Sequence, residues 1–516
     1  MEERYIAAID LGSSKIRLTV AKINGNDIQI QYYRETPSDG IRNSAVFNPK
    51  KASEPVKKLI DDAEKELNIK ILQAVVGLPR CDVRQENNSA KAIRSVPDDS
   101  ITESEVEELK SIAQDDYPNI DLDKETLYGA VAQSFDCDDN FQIVESEIVG
   151  MVSREFTGNF KLFIGKKSSE KAIDKVFNNI EIAVAKKVFT PDSLAKAVLT
   201  EDEKESGVAL IDFGGGATSV TIYKGKLLRH YACIPFGGKT VTRDIKNECT
   251  ISEDLAENIK LAYGACMPDR LQTLSEKILQ IEGEEGMTGP KQIPVKYLSE
   301  LITSREKEIV DAMLYEIQES GLADALRSGI VITGGGADMA NLVSFIKECS
   351  GYEVRLGYPR HLFSISGCPE AGTAAAATSL GMILSAKADR NLNCIDPAER
   401  EAAPDGLDTE DSVRAETAEN EGLTHDGGQN AAEMRTGTEG QTSDGTDGVK
   451  EDELPDGQLP LGGTEEKDTD SSGKTAKSDK ATKAKKPKKS GGLKVTWQKV
   501  MEKVNKMYND IDNENV

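Results

Sequence analysis

"YIAAIDLGSSKIRLTVAKI", residues 5–23, and "GVALIDFGGGATSVTIYK", residues 207–224, share one layout. Each is an apolar, β-rich run ending in Asp-x-Gly, then a tip of small residues, then a second alternating strand. The pattern predicts two β-hairpins whose tips are built from Asp, Gly, Ser and Thr. Their likeness at a separation of about two hundred residues predicts a duplicated α/β architecture. A third run, "IVITGGGADM" at 330–339, follows another β-rich segment and precedes a helical pattern from Leu342 to Cys349. A strand, a glycine turn and a helix start allow close backbone approach to a ligand and favour anionic groups.

A nucleoside triphosphate asks for such residues. Its oxygens need backbone N–H donors at short range, which Cβ atoms obstruct, so glycines and small hydroxyl residues line the loops that hold it. It also needs Mg²⁺, which keeps most of its waters and is steered by one or two carboxylates. Asp10 and Asp212, one per hairpin, are placed to face each other across a cleft and orient the hydrated ion and an attacking water. A single Asp-x-Gly is weak, because tight turns use both residues for steric reasons. Two matching hairpins and a third glycine turn, in this order, are much more specific.

The chain has 516 residues and a formal net charge of −25, with 38% hydrophobic and 5% aromatic residues. Residues 396–473 contain no Phe, Tyr, Trp or Ile, and carry 23 acidic residues against 5 basic ones. Such a segment cannot bury enough apolar surface to offset its chain entropy, so disorder is predicted over the 396–490 linker. From Lys474 to Ser490 the sign reverses, with eight Lys against one Asp. The acidic balance argues against a nucleic-acid partner. Eight cysteines without a C-x-x-C pair, three distant His, no signal-peptide layout and no 18-residue apolar run predict a cytosolic protein with reduced thiols and no His/Cys metal site.

With these motifs in hand, the sequence resembles the actin/Hsp70/sugar-kinase ATPase superfamily and, within it, the FtsA family of bacterial cell-division proteins. The three glycine runs match the superfamily's phosphate-1, phosphate-2 and adenosine motifs. "ACIPFGGKTVTRDI" (232–245) and "AENIKLAYG" (256–264) resemble two FtsA signatures. The resemblance covers about residues 1–390. It implies that Asp10, Gly12, Ser13, Ser14 and Lys15 contact phosphates, with Asp212, Gly214, Gly215, Gly216 and Thr218 in the opposing loop. It implies Glu257 and Lys260 on ribose or adenine, and Gly334, Gly335 and Gly336 on the adenosine side. Read without the family, Glu257 and Lys260 are a solvated helix face. The family's Thr-Thr-Asp after phosphate 2 is here Ala217-Thr218-Ser219, a departure that points to nucleotide binding with at most slow ATP hydrolysis.

The implied fold is α/β, an actin-like two-lobed ATPase with one small subdomain relocated. Lobe 1 is expected at 1–83, continuing at about 155–190 and 370–390, with the inserted FtsA-type subdomain at 84–154. Lobe 2 is expected at 191–369, its own small subdomain at about 226–304. "SITESEVEELKSIAQ" (100–114) reads as a capped helix with Val106, Leu109 and Ile112 on one side. "TPDSLAKAVL" (190–199) resembles the family's linker helix, and "SELITSREKEIVDAML" (299–314) is another amphipathic helix. Arg305 on the latter matches a family arginine that docks the tubulin-like partner FtsZ; an exposed intrahelical salt bridge is the alternative.

The segment 491–511 holds the only Trp. At ~100° per residue, Leu493, Trp497, Val500, Met501, Val504 and Tyr508 fall within an arc of about 120°, with lysines flanking or opposing it. That is the pattern of a helix lying in an anionic membrane interface, and FtsA proteins carry such a membrane-targeting helix after a variable linker. Docking in a protein groove, or a short coiled coil, is the alternative. The expectation is therefore an ATP- and Mg²⁺-binding, actin-like protein that polymerises at the cytoplasmic face of the cell membrane at the division septum. It would bind the FtsZ C-terminal peptide, tether the ring and recruit later divisome proteins. The alternatives are a small-molecule kinase or phosphatase on the same fold, or an actin-like scaffold with another partner.

Overall fold

In the computed structural model the two hairpins form the centres of two sheets. The structure describes residues 3–395 apart from 97, 139 and 282–289. The predicted linker 396–490 and helix 491–511, with Leu493, Trp497, Val500, Met501, Val504 and Tyr508, lie outside the described residues.

Strand Arg4–Leu11 pairs antiparallel with Lys15–Asn24, which continues into Asp27–Pro37, and on its other side runs parallel to Gln73–Gly77. Ala183–Val188 and the two-residue strand Ser364–Ile365 complete this six-stranded sheet. The second sheet repeats the plan. Val208–Phe213 pairs antiparallel with Thr218–Lys224, which continues into Leu227–Ile234, and runs parallel to Ile330–Thr333. Val354–Leu356 closes this five-stranded sheet. The central strands are buried along nearly their whole length, which is why they read as continuous apolar runs rather than alternating ones. The chain thus has the two-lobed, actin-like α/β fold.

A third sheet, ordered Arg84–Ile93, Glu155–Lys166, Glu125–Cys137, Asn140–Ile143, is inserted within lobe 1 in sequence. Glu155–Lys166 was expected in lobe 1, but it pairs with both Arg84–Ile93 and Glu125–Cys137, so lobe 1 resumes only at helix Lys167–Asn178. Ser364–Ile365 was expected in lobe 2, but it pairs with Gln29 and Ile30 of the first sheet. Helix Glu103–Asp115 covers the small sheet. Thr102 caps it reciprocally with Glu105, and Val106, Leu109 and Ala113 are its buried residues. The spacing of three that singled out Ile112 is one residue short of a full second turn, and Ile112 stays exposed.

Lobe 1 buries Pro49–Leu67 and Lys167–Asn178 against its sheet. Ala377–Lys387 packs with Thr190–Val198 beneath both lobes. Lobe 2 carries helices Gly238–Cys249, Glu253–Tyr263 and Val295–Glu319 around its own core. Leu78, Phe163, Phe189, Leu210, Tyr231 and Val331 form a separate core where the three sheets meet. Among the described residues no helix is long and apolar enough to cross a membrane.

Candidate functional site: two glycine-tipped hairpins and a cleft of paired charges

Each hairpin places its aspartate at the penultimate position of its first strand. Asp10 lies opposite Arg17 in the first hairpin and Asp212 opposite Ser219 in the second. Both carboxylates are buried. The tips Gly12-Ser13-Ser14 and Gly214-Gly215-Gly216 press together. A Cβ at Gly215 would come within 2.6 Å of the Ser14 Cβ, and one at Gly216 within 2.7 Å of the Ser13 Cβ and Oγ. No side chain fits there, so the glycines are demanded by the contact between loops. Gly334 follows strand Ile330–Thr333 at φ +89°, where a Cβ would lie 2.3 Å from Asp212 Oδ1. The Gly336 amide donates to the Phe213 carbonyl at 2.8 Å, and a Cβ at Gly335 would lie 3.8 Å from Arg17 Nη2. The three glycine turns therefore meet around the two aspartates.

The third turn is not itself a helix start. Residues 337–341 intervene, and the next helix, Leu342–Ser350, begins after Asn341 in the left-handed region with no side-chain cap. Helix-dipole support for an anion at Gly334–Gly336 is thus absent, and positive charge comes from side chains instead.

Those side chains are two arginines that the motifs do not include. Arg17 Nη1 lies 3.4 Å from Asp10 Oδ2, and its Nε lies 3.3 Å from Glu35. Arg80, from the loop after strand Gln73–Gly77, donates to Asp212, and its Nη2 donates to Thr378 Oγ1 at 3.2 Å. Burial opposes the Arg80 charge, but Asp212 and Asp10 outweigh it and raise its pKa. Arg17 is raised in the same way, burial being overcome by Asp10, with Tyr33 and Glu35 adding to it. Burial pushes the Asp212 carboxyl up, Arg80 draws it back, and Asp10 adds to the upward shift. A relay of backbone and hydroxyl groups connects the arms. The Ser44 amide donates to Ser13 Oγ at 2.8 Å, and the Arg80 amide donates to Ser44 Oγ at 3.2 Å.

The residues expected on ribose or adenine adjoin the second tip. Lys260 is buried, and its Nζ donates to Glu257 Oε2 at 2.7 Å, Thr242 Oγ1 at 2.8 Å and the Gly238 carbonyl at 3.1 Å. The Gly238 amide in turn donates to the Gly214 carbonyl at 3.0 Å, and the Lys239 amide to Gly215 at 2.7 Å. Glu257 and Lys260 are therefore coupled to the second glycine tip and do not form a solvated pair.

Three expected residues stand apart. Thr218 is fully buried, its hydroxyl donating to the Phe236 carbonyl at 2.8 Å, so that hydroxyl faces away from the cleft. Lys15 is half exposed and pairs with Glu35. Arg305 makes a two-pronged contact with Asp244 (2.5 and 3.1 Å) and reaches Glu308 at 2.6 Å, leaving 14% of its side chain exposed.

For a metal ion, no cluster of three or more His, Cys, Asp or Glu occurs among the described residues. Two carboxylates already matched by guanidinium groups do not form a closed cation cage. They fit a hydrated Mg²⁺ that takes its direct ligands from water and phosphate. The Arg17 register was visible in the sequence, two strand residues equidistant from the tip. Arg80 carried no signal, since its partner is 132 residues away.

A family model described as "Cell division protein FtsA" matches residues 209–381. The chain is 30% identical over 371 residues to the cell division protein FtsA of Borreliella burgdorferi, covering 72% of this chain and 87% of that protein. It is 29% identical over 394 residues to the FtsA of Neisseria meningitidis serogroup B, covering 76% and 92%. Among solved structures it is similar to a PilM–PilN type IV pilus biogenesis complex, with a TM-score of 0.52 and 14% identity, covering 74% of this chain and 98% of that one. The last likeness concerns the fold alone.

Proposed function

The chain belongs to the FtsA family of cell division proteins, and from that premise we propose that it is an ATP-binding filament subunit tethering the FtsZ ring to the cytoplasmic membrane. The observation that carries the nucleotide part is the meeting of both glycine tips and Gly334 around Asp10 and Asp212. Backbone amides of Gly12–Lys15 and Gly214–Gly216 would hold the phosphates, and Arg17 and Arg80 would turn from carboxylate to phosphate as ATP enters. Mg²⁺, when bound, would neutralise the β- and γ-phosphates. Asp10 and Asp212 would orient its water shell and the attacking water. Glu257 and Lys260 would meet ribose or adenine, with Gly334–Gly336 opposite.

Hydrolysis would be slow at most. Ala217 has no hydroxyl, and the Thr218 hydroxyl is taken by Phe236. ATP then acts chiefly by holding the two lobes in one arrangement that favours assembly. Arg305 would meet the FtsZ C-terminal peptide only by exchanging Asp244 or Glu308 for a peptide carboxylate, which makes that contact selective for an acidic peptide. The 491–511 helix would bind anionic lipid weakly, and a filament carrying many such helices would bind firmly through effective concentration. Later divisome proteins would join this layer at the septum.

The test is liposome co-sedimentation with ATP, comparing the full chain with one ending at Ser490, in the presence of labelled FtsZ C-terminal peptide. The full chain should pellet with anionic but not neutral vesicles and carry the peptide down, while the truncation stays in the supernatant. A full chain that stays soluble ends the anchor reading. A pellet without peptide ends the tethering one.

A further inference from the structure

Cys81 and Cys233 come from different sheets and bring their sulfurs to 2.8 Å. Cys81 lies in the loop that leads from strand Gln73–Gly77 of the first lobe to strand Arg84–Ile93 of the small sheet. Cys233 lies on Leu227–Ile234, the edge strand of the second lobe, opposite Ser219. Both residues are only partly buried. An S–S bond is about 2.05 Å long, so closure needs the sulfurs to approach by less than about 1 Å.

We propose that Cys81 and Cys233 form a reversible dithiol switch whose disulfide staples the first lobe and small sheet to the second lobe. The seam they would lock is otherwise non-covalent. Tyr231 donates its hydroxyl to the Arg80 carbonyl at 2.7 Å, and its amide donates to Gln85 Oε1 at 3.2 Å. Gln85 Nε2 lies 2.9 Å from His230 Nδ1, and Arg80 meets Asp212. Every one of these contacts must break if the lobes part along this line. A single covalent bond between Cys81 and Cys233 would forbid that parting, one residue away from the arginine that holds Asp212.

The chemistry is thiol–disulfide exchange with a small-molecule disulfide such as oxidised glutathione. The Cys81 thiolate attacks one sulfur of the reagent, forming a mixed disulfide and expelling one thiolate. The Cys233 thiolate then attacks the Cys81 sulfur and expels the second. The two protein thiols lose two electrons, the reagent gains them, and the two protons leave with the released thiols. Burial and the Cys81 sulfur push the Cys233 thiol well up, so its proton passes to the thiolate expelled in the first step as Cys233 attacks. A dithiol reductant reverses both steps.

The experiment treats the full chain with oxidised glutathione, then maps non-reduced peptides and measures amide hydrogen exchange over 78–85 and 227–234. A Cys81–Cys233 linked peptide is expected, with exchange across both segments slowed at least tenfold. Dithiothreitol should reverse the slowing, and C81S and C233S should lack it. Release of a fluorescent ATP analogue should slow in parallel. Two free thiols at these positions after other cysteines have reacted would overturn the proposal. So would a linked peptide that leaves exchange unchanged. The exchange readout does not depend on nucleotide, so a chain that forms the staple but binds no ATP analogue refutes only the nucleotide reading.

Discussion

Arg80 and Asp212 meet with 13% and 4% of their side chains exposed, so removing one charge leaves the other where water cannot solvate it. Breaking a buried pair from one side costs about 3–5 kcal/mol, whereas removing both partners costs much less. Arg80→Ala should therefore lower stability in urea unfolding by about 3 kcal/mol, and adding Asp212→Ala should recover a large part of it. Equal losses in the single and double variants would mean that the pair is not coupled. At this scale the sequence revealed what turn sterics dictate: Asp10, Asp212 and the glycines, because only small residues fit where two tips touch. It did not reveal Arg80, whose role exists only after two distant segments have packed together. Nor did it show that the Thr218 hydroxyl turns inward, because successive residues near a hairpin tip face opposite ways.

Helix Val295–Glu319 shows what amphipathic periodicity leaves out. The pattern located a helix over 299–314, and the structure extends it to 25 residues. Glu306, on its core side, is buried with Oε2 lacking a hydrogen-bond partner. Burial raises its pKa to about 7, against the opposing pull of Lys260 and Arg305. Charged residues on a helix are read as outward-facing by default, so a buried carboxyl escapes a sequence reading. The carboxyl binds its proton more tightly in the folded chain than in the unfolded one. Its stabilising effect is complete below the unfolded value of 4.5 and is lost as pH rises through about 7. At 1.36 kcal/mol per pKa unit the swing is about 3 kcal/mol. Glu306→Gln, which stays neutral, should match the native chain near pH 4.5 and exceed its stability by about 3 kcal/mol at pH 8.5, read from urea midpoints. Parallel pH profiles for the two proteins would refute a titrating Glu306.

The duplicated plan of the whole molecule was legible because each lobe is centred on a local hairpin, and local pairs leave a contiguous trace. The pairings that join distant segments left none, which is why Glu155–Lys166 and Ser364–Ile365 belong to sheets other than those the sequence suggested. The same distinction bears on the cleft. Its two halves belong to separate lobes, and the contacts between them include the tip-to-tip packing, the Arg80–Asp212 pair and the seam at Tyr231. A nucleotide whose phosphates bridge both tips adds its binding energy to the folded arrangement and to nothing else. At a free concentration one hundred times its dissociation constant, that is about 2.7 kcal/mol. ATP with Mg²⁺ should therefore raise the denaturation midpoint of the full chain, followed by circular dichroism because the only Trp lies at 497. Asp10→Asn with Asp212→Asn keeps the shapes of both side chains but removes the charges that would orient the ion's water shell, so the shift should shrink or vanish. If ATP leaves the native midpoint where it was, the two tips do not share a nucleotide, and their contact is only how the lobes pack.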